Sequence, residues 1–276
     1  MLTKRLLLRI GAAPLLLLAA LSAQAIAQQS QSVGLSPAYL DADVKPGSVY
    51  TQEFAVSNRT SARLRFRASL GDLGYDAENR RVEARPGTTP RSASPWVRFV
   101  PDELTVEPGG SAKFKAVITV PDSARGGYYT VPYFQGEPVE EQSTPGRLSQ
   151  GVAVRLGGLL LLATSSGSEY RVLVKGGAVV PPSSSSPLSL ALDLKNEGNA
   201  HAVLKGTFAF LDGSSRVAGR GQISEQRLLP GQRAQAESEW AGELPPGDYT
   251  AVVTLTYARA GSQPATLVYE IPFAVK

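Results

Sequence analysis

Cysteine is absent from all 276 residues, and the chain has one His and one Met. Without thiols there is no disulfide framework and no thiolate nucleophile. A zinc centre draws on several His or Cys side chains, and His201 alone cannot supply one. No Gly-x-Ser-x-Gly nucleophile elbow occurs. "DAD" (Asp41–Asp43) and "EE" (Glu140, Glu141) lack the loop pattern of a Ca²⁺ site. Spacing alone does not exclude a carboxylate pair for glycoside hydrolysis, but the short repetitive strands leave little room for a substrate cleft. His201 falls beside Asn199 in a predicted turn and reads as a solvated side chain. These absences point away from an enzyme and imply no cofactor. Helix-forming patterns are scarce as well.

Charge of one sign is also lacking. The chain carries 28 Lys and Arg against 24 Asp and Glu. Lys4, Arg5 and Arg9 precede a short apolar run, "LLLLAAL", and the small-residue signals "AQA" and "AIA". This is the pattern of a secretory signal peptide, expected to span residues 1–27, with an apolar run too short to cross a bilayer. Its removal leaves 25 basic residues against 24 acidic ones. Such a balance does not suit a general nucleic-acid binder. The expected location is periplasmic or secreted, with no membrane span in the mature chain.

What is present is turn chemistry and alternation: 27 Gly, 20 Pro, and runs in which apolar residues recur at every second position. In "ARLRFRAS", Leu64, Phe66 and Ala68 fall on one face and Arg63, Arg65 and Arg67 on the other, the mark of a half-buried antiparallel strand. "SVYTQEFAVSN", "WVRFV", "SAKFKAVITVP" and "GYYTVPYFQ" read similarly. Residues 71–95 break the rhythm and predict a long connection with a short edge hairpin. Residues 136–149 predict a second long loop.

The chain then repeats itself. "FAVSNRTSARLRFRAS" matches "LDLKNEGNAHAVLKGTFAF", placing Asn58 and Asn196 at equivalent turns. There Asn can satisfy the backbone locally or adopt a positive φ. "VEPGGSAKFKAVI" matches "LLPGQRAQAESEW", and Pro108 to Tyr128 spans 20 residues where Pro230 to Tyr249 spans 19. The pattern predicts an all-β chain of two tandem immunoglobulin-like β-sandwiches, residues 28–165 and 166–276. Tyr249, and Tyr128 or Tyr129, are expected to act as tyrosine corners, with buried rings and hydroxyls turned back onto the backbone.

Two surface features remain. The Arg63, Arg65, Arg67 stripe is either a solvated face that deters edge pairing or a docking face for an acidic partner or an anionic wall polymer. "GVAVRLGGLLLL" alternates at Val152, Val154 and Leu156, with Arg155 between them, and then becomes wholly apolar through Leu160. It reads either as a central core strand or as an edge for β-augmentation, in which a partner's backbone extends the sheet.

"SPAYLDADVKPGSVYTQEFAVSNRT" followed by "WVRFVPDELTVEPGGSAKFKAVITVP" resembles the first domain of periplasmic pilus-assembly chaperones. It also resembles the peptidoglycan-binding domains of WxL-associated surface proteins. "YYTVPYFQGEP" followed by "VAVRLGGLLLL" is similar to the chaperones' late strands, between which a subunit docks. The chaperone resemblance implies binding of secreted or pilus-like subunits by strand addition over Val152–Leu162. It also implies two basic residues that hold a subunit's C-terminal carboxylate. Arg155 matches the second of them, whereas the first strand, Val33–Val44, contains no Arg or Lys. The WxL resemblance implies a cell-envelope adaptor that binds peptidoglycan or another surface protein, and the stripe of Arg63, Arg65 and Arg67 is the candidate face for that reading. Members of that group continue into a C-terminal membrane helix, and this chain ends at "YEIPFAVK".

Overall fold

A computed structural model describes residues 32–75, 80–139, 153–183, 186–258 and 263–276. The expected signal peptide, Val152, and the segment from Glu140 to Ser149 with Glu141 lie outside the described residues.

Among the described residues, one 3-10 turn, Ser94–Trp96, accompanies 18 strands. The first four-stranded sheet has the order β1 (Val33–Ser36), β3 (Val49–Asn58), β8 (Ser111–Thr119), β6 (Val97–Val100). Facing it is a seven-stranded sheet with the path β2 (Tyr39–Val44), β11 (Leu159–Thr164), β9 (Gly127–Pro138), β4 (Leu64–Tyr75), β5 (Arg81–Ala84). In that sheet β7 (Glu103–Val106) also pairs with β4, and β10 (Val154–Gly157) pairs with β9. The expected edge hairpin is the β4–β5 pair.

Alternation gives each strand one apolar face, and the two faces meet in a core containing Phe54, Phe66, Phe114 and Phe134, all fully buried. Fully burying one such ring contributes about 2–3 kcal/mol. The second half repeats the plan. A three-stranded sheet of β12 (Val172–Val180), β13 (Leu188–Asn196) and β16 (Arg233–Trp240) packs on a four-stranded sheet. The latter has the order β15 (Val217–Leu228), β14 (Ala202–Asp212), β17 (Gly247–Ala258), β18 (Ala265–Val275). Leu188, Leu190, Leu192 and Leu194 of β13 meet Phe210, Ala251 and Val253 across the gap. The all-β, two-sandwich architecture expected from the alternation is the observed one.

The duplication extends to hydrogen bonds. Asn58 is fully buried, and its Nδ2 donates to Ala62 O (2.7 Å) and Val106 O (3.1 Å) while Oδ1 accepts from Thr60 N (3.0 Å). Asn196 is fully buried, with Nδ2 donating to Ala200 O and Leu228 O (2.9 Å each) and Oδ1 accepting from Gly198 N (2.9 Å). Neither Asn has a positive φ, so both satisfy the backbone locally. Beside each Asn a glycine has one instead: Gly109 (75°) donates its N–H to Asn58 O, and Gly231 (80°) donates its N–H to Asn196 O. Tyr249 makes the expected corner: its hydroxyl donates to Pro245 O at 2.8 Å. The corresponding hydroxyl in the first half is that of Tyr128, which accepts from Arg125 N at 3.3 Å.

His201 departs from expectation. It is fully buried, with Nε2 3.0 Å from Asp41 Oδ2. Its turn is covered by the first sandwich, which sequence periodicity within the second half does not register.

Candidate docking edge

The apolar run after Val152 divides at Gly158. Its antiparallel neighbour there is Pro132, which has no N–H, so the ladder to β9 loses a bond. Gly158 N–H donates to Pro132 O (2.8 Å), and the next amide, Leu159 N–H, donates the other way to Ala38 O (2.9 Å). From Leu159 onward β11 is central, parallel to β2 on one side and antiparallel to β9 on the other. Leu160, Leu161 and Leu162 are fully buried. Leu160 and Leu162 enter the first core, whereas Leu161 joins Leu73, Tyr129, Val131 and Leu229 on the outer face. Leu160, counted among the partner-binding candidates on sequence, is thus a core residue on a strand with both edges paired.

β10 is different. β2 ends its pairing at Tyr39, and the chain before it crosses to β1, which pairs with β3 in the opposite sheet. Among the described residues, no strand pairs with the outer edge of β10. By the alternation set at Gly158 and Leu159, the backbone groups of Arg155 and Gly157 point along that open edge. Val154 and Leu156 are half-buried against the core, as are Val33 and Leu35 on β1. Among the described residues β1 and β10 lie near one another without hydrogen bonds, so the described sandwich is open at this corner and lined by apolar side chains. The core-strand reading of the run therefore holds for its second half, whereas the first half, β10, has one edge that no described strand pairs.

Arg155 projects to the opposite face from Val154 and Leu156. Its guanidinium lies 3.7 Å from the centroid of the Tyr133 ring and reaches Glu83 with two bonds, 2.6 Å and 3.1 Å. The hydrogen bond from Arg155 holds the Glu83 carboxyl below its ordinary pKa. The ring lies flat because Gly71 and Gly157 flank it: a Cβ on Gly71 would come within 2.7 Å of the ring, and one on Gly157 within 3.0 Å. A partner's carboxylate would have to displace Glu83 to reach Arg155. The implied anchor and the implied strand donor thus sit on different faces.

The Arg63, Arg65, Arg67 stripe meets acidic neighbours on strands either side of β4. Arg63 pairs with Glu107 at 2.8 Å, Arg67 with Glu103 at 2.9 Å, and Arg65 with Glu103 at 3.6 Å, all exposed. Glu137 of β9 is the register partner of Arg65. A shallow cleft there is lined by Arg65, Arg67, Ser69, Glu103, Gln135 and Glu137. The face is charge-paired, and pairs this exposed are screened by solvent and stabilise the fold little. Glu103 and Glu107 lie some 40 residues downstream of the arginines, so the balance forms only on folding.

Beneath this sheet, Asp72 is fully buried and pins the loop before the 3-10 turn. It accepts from Ser94 Oγ (2.6 Å), Ser92 Oγ (2.7 Å), Thr89 N (3.0 Å) and Thr89 Oγ1 (3.1 Å). Burial pushes its pKa up, but these donors outweigh burial and hold it below the ordinary carboxylate value. Among the described residues, no group of three or more His, Cys, Asp or Glu could hold a metal ion. No described helix is long and apolar enough to cross a membrane.

No family model and no curated protein matches the chain. Solved structures do. The class 5 fimbriae chaperone CfaA is 13% identical, with a TM-score of 0.48, covering 87% of this chain and 98% of that one. The YadV chaperone is 11% identical, with a TM-score of 0.41, covering 87% and 99%. The structure of Salmonella enterica SafA pilin with the SafB chaperone gives 13% identity and a TM-score of 0.40, covering 90% and 99%. The chain is similar in layout to fimbrial chaperones of known structure.

Proposed function

We propose that the chain is a non-enzymatic periplasmic binder of secreted, pilus-like protein subunits that acts by strand addition at β10. Residues 28–165 form the docking sandwich in this reading, and residues 166–276 the second. The observation that carries it is the open corner between β1 and β10. A free backbone edge at Arg155 and Gly157 stands beside half-buried Val154, Leu156, Val33 and Leu35. A partner that lacks a strand offers the complement: a backbone edge to pair and an apolar groove for alternate side chains.

The test is the affinity for a purified pilin-like subunit that lacks one strand of its own sandwich. Val154→Asp and Leu156→Asp should each weaken binding at least about tenfold, about 1.4 kcal/mol. Far-UV circular dichroism and a thermal melt confirm folding. Undiminished binding by both folded variants would refute strand addition here.

A further inference from the structure

The two Asn turns differ in what they face. After Asn58, Arg59 and Ser61 are exposed. After Asn196, the turn presses on the first sandwich and on the connector between the halves. Asn199 O accepts from Gly127 N (2.8 Å), its Nδ2 donates to Gly167 O (2.9 Å), and its Oδ1 accepts from Glu169 N (2.7 Å). His201 reaches Asp41 of β2, and its ring meets the edge of Tyr129 with centroids 5.7 Å apart. Leu229 fills the apolar patch of Leu73, Tyr129, Val131 and Leu161. Arg227 stacks 4.7 Å from the centroid of Tyr39. The approach is close enough that a Cβ on Gly126 would come 2.5 Å from Asn199 O, and one on Gly127 would be 3.2 Å from Ala200 Cα.

We infer that the Asn196–His201 turn is a latch that holds the two sandwiches in one orientation, with the His201–Asp41 pair as its key. The Leu229 patch is non-directional and would tolerate sliding. The pair would not, because any other register leaves a fully buried imidazole without its carboxylate. The latch seats the second half against β2 and β11, the strands next to the open edge of β10.

The test uses the full chain and residual dipolar couplings, which report how each half aligns. In the wild type both halves should share one alignment tensor. His201→Ala and, separately, Asp41→Ala should give two different tensors. Neither residue belongs to the apolar core of either sandwich, so both variants should retain native amide spectra in both halves. A shared tensor persisting in either variant, or two tensors already in the wild type, would overturn the latch. So would loss of one half's native spectrum in both variants, since the pair would then be a requirement of that half's own fold.

Discussion

Asn58 and Asn196 tie the same knot in two settings. Each is fully buried, donates to two carbonyls and accepts one backbone amide. Beyond the knot the two turns diverge. The first turn meets solvent, and the second carries His201 into contact with the other half. A duplicated unit has kept its internal hydrogen bonds and changed its outward face. The unpaired edge of β10 lies in the first copy, and the side chain that crosses to the other half, His201, lies in the second.

The largest effect should come from cutting the knot itself. Asn58→Ala removes the side-chain donor to Val106 O and one of the two side-chain donors to Ala62 O, and Asn196→Ala removes those to Ala200 O and Leu228 O; each should cost about 3 kcal/mol in chemical denaturation. The two should differ in reach. Asn58→Ala should leave the alignment of the halves intact, whereas Asn196→Ala should also loosen it in dipolar couplings.

Acid should separate the halves next. Among the described residues Asp72 is the one fully buried carboxylate, and it lies in the first half. Its folded pKa is below the unfolded one, so its contribution is complete above the unfolded value, about 4, and is lost as pH falls through the folded value. The first half should therefore lose stability first on acidification, followed by residue-resolved NMR intensities. Asp72→Asn should flatten that dependence while lowering stability at pH 7 by about 2 kcal/mol.

The tyrosine corners should show a smaller contrast. Tyr249→Phe removes a 2.8 Å bond to Pro245 O and should cost about 1 kcal/mol. Tyr128→Phe removes a longer bond, 3.3 Å, and should cost about half that in the same melt. Smallest of all, Arg59→Ala in the exposed first turn should stay within about 0.5 kcal/mol of wild type.

Strand positions, the duplication, the Asn turns and the Tyr249 corner were legible in the sequence because each is written within a few residues. Alternation names a face, a Pro-Gly pair names a turn, and an Asn four residues from its carbonyl acceptor names a local bond. Three features were not legible, for a common reason. Arg63 and Arg67 meet Glu107 and Glu103 only across paired strands, so a stripe that reads as basic is balanced. The division of the apolar run at Gly158 depends on Pro132 of the neighbouring strand. His201 reads as a turn residue because its burial comes from Asp41, 160 residues away. Long-range pairing decided these, and only the folded chain displays it.

The most direct test of strand addition is amide hydrogen exchange at β10, free and with the pilin-like subunit bound. The free protein should exchange fast at Arg155 and Gly157 and slowly at Leu160 to Leu162. On binding, Arg155 and Gly157 should become protected while the leucines change little. If both amides stay fast in a saturated complex, with new protection elsewhere, the partner does not add a strand at this edge.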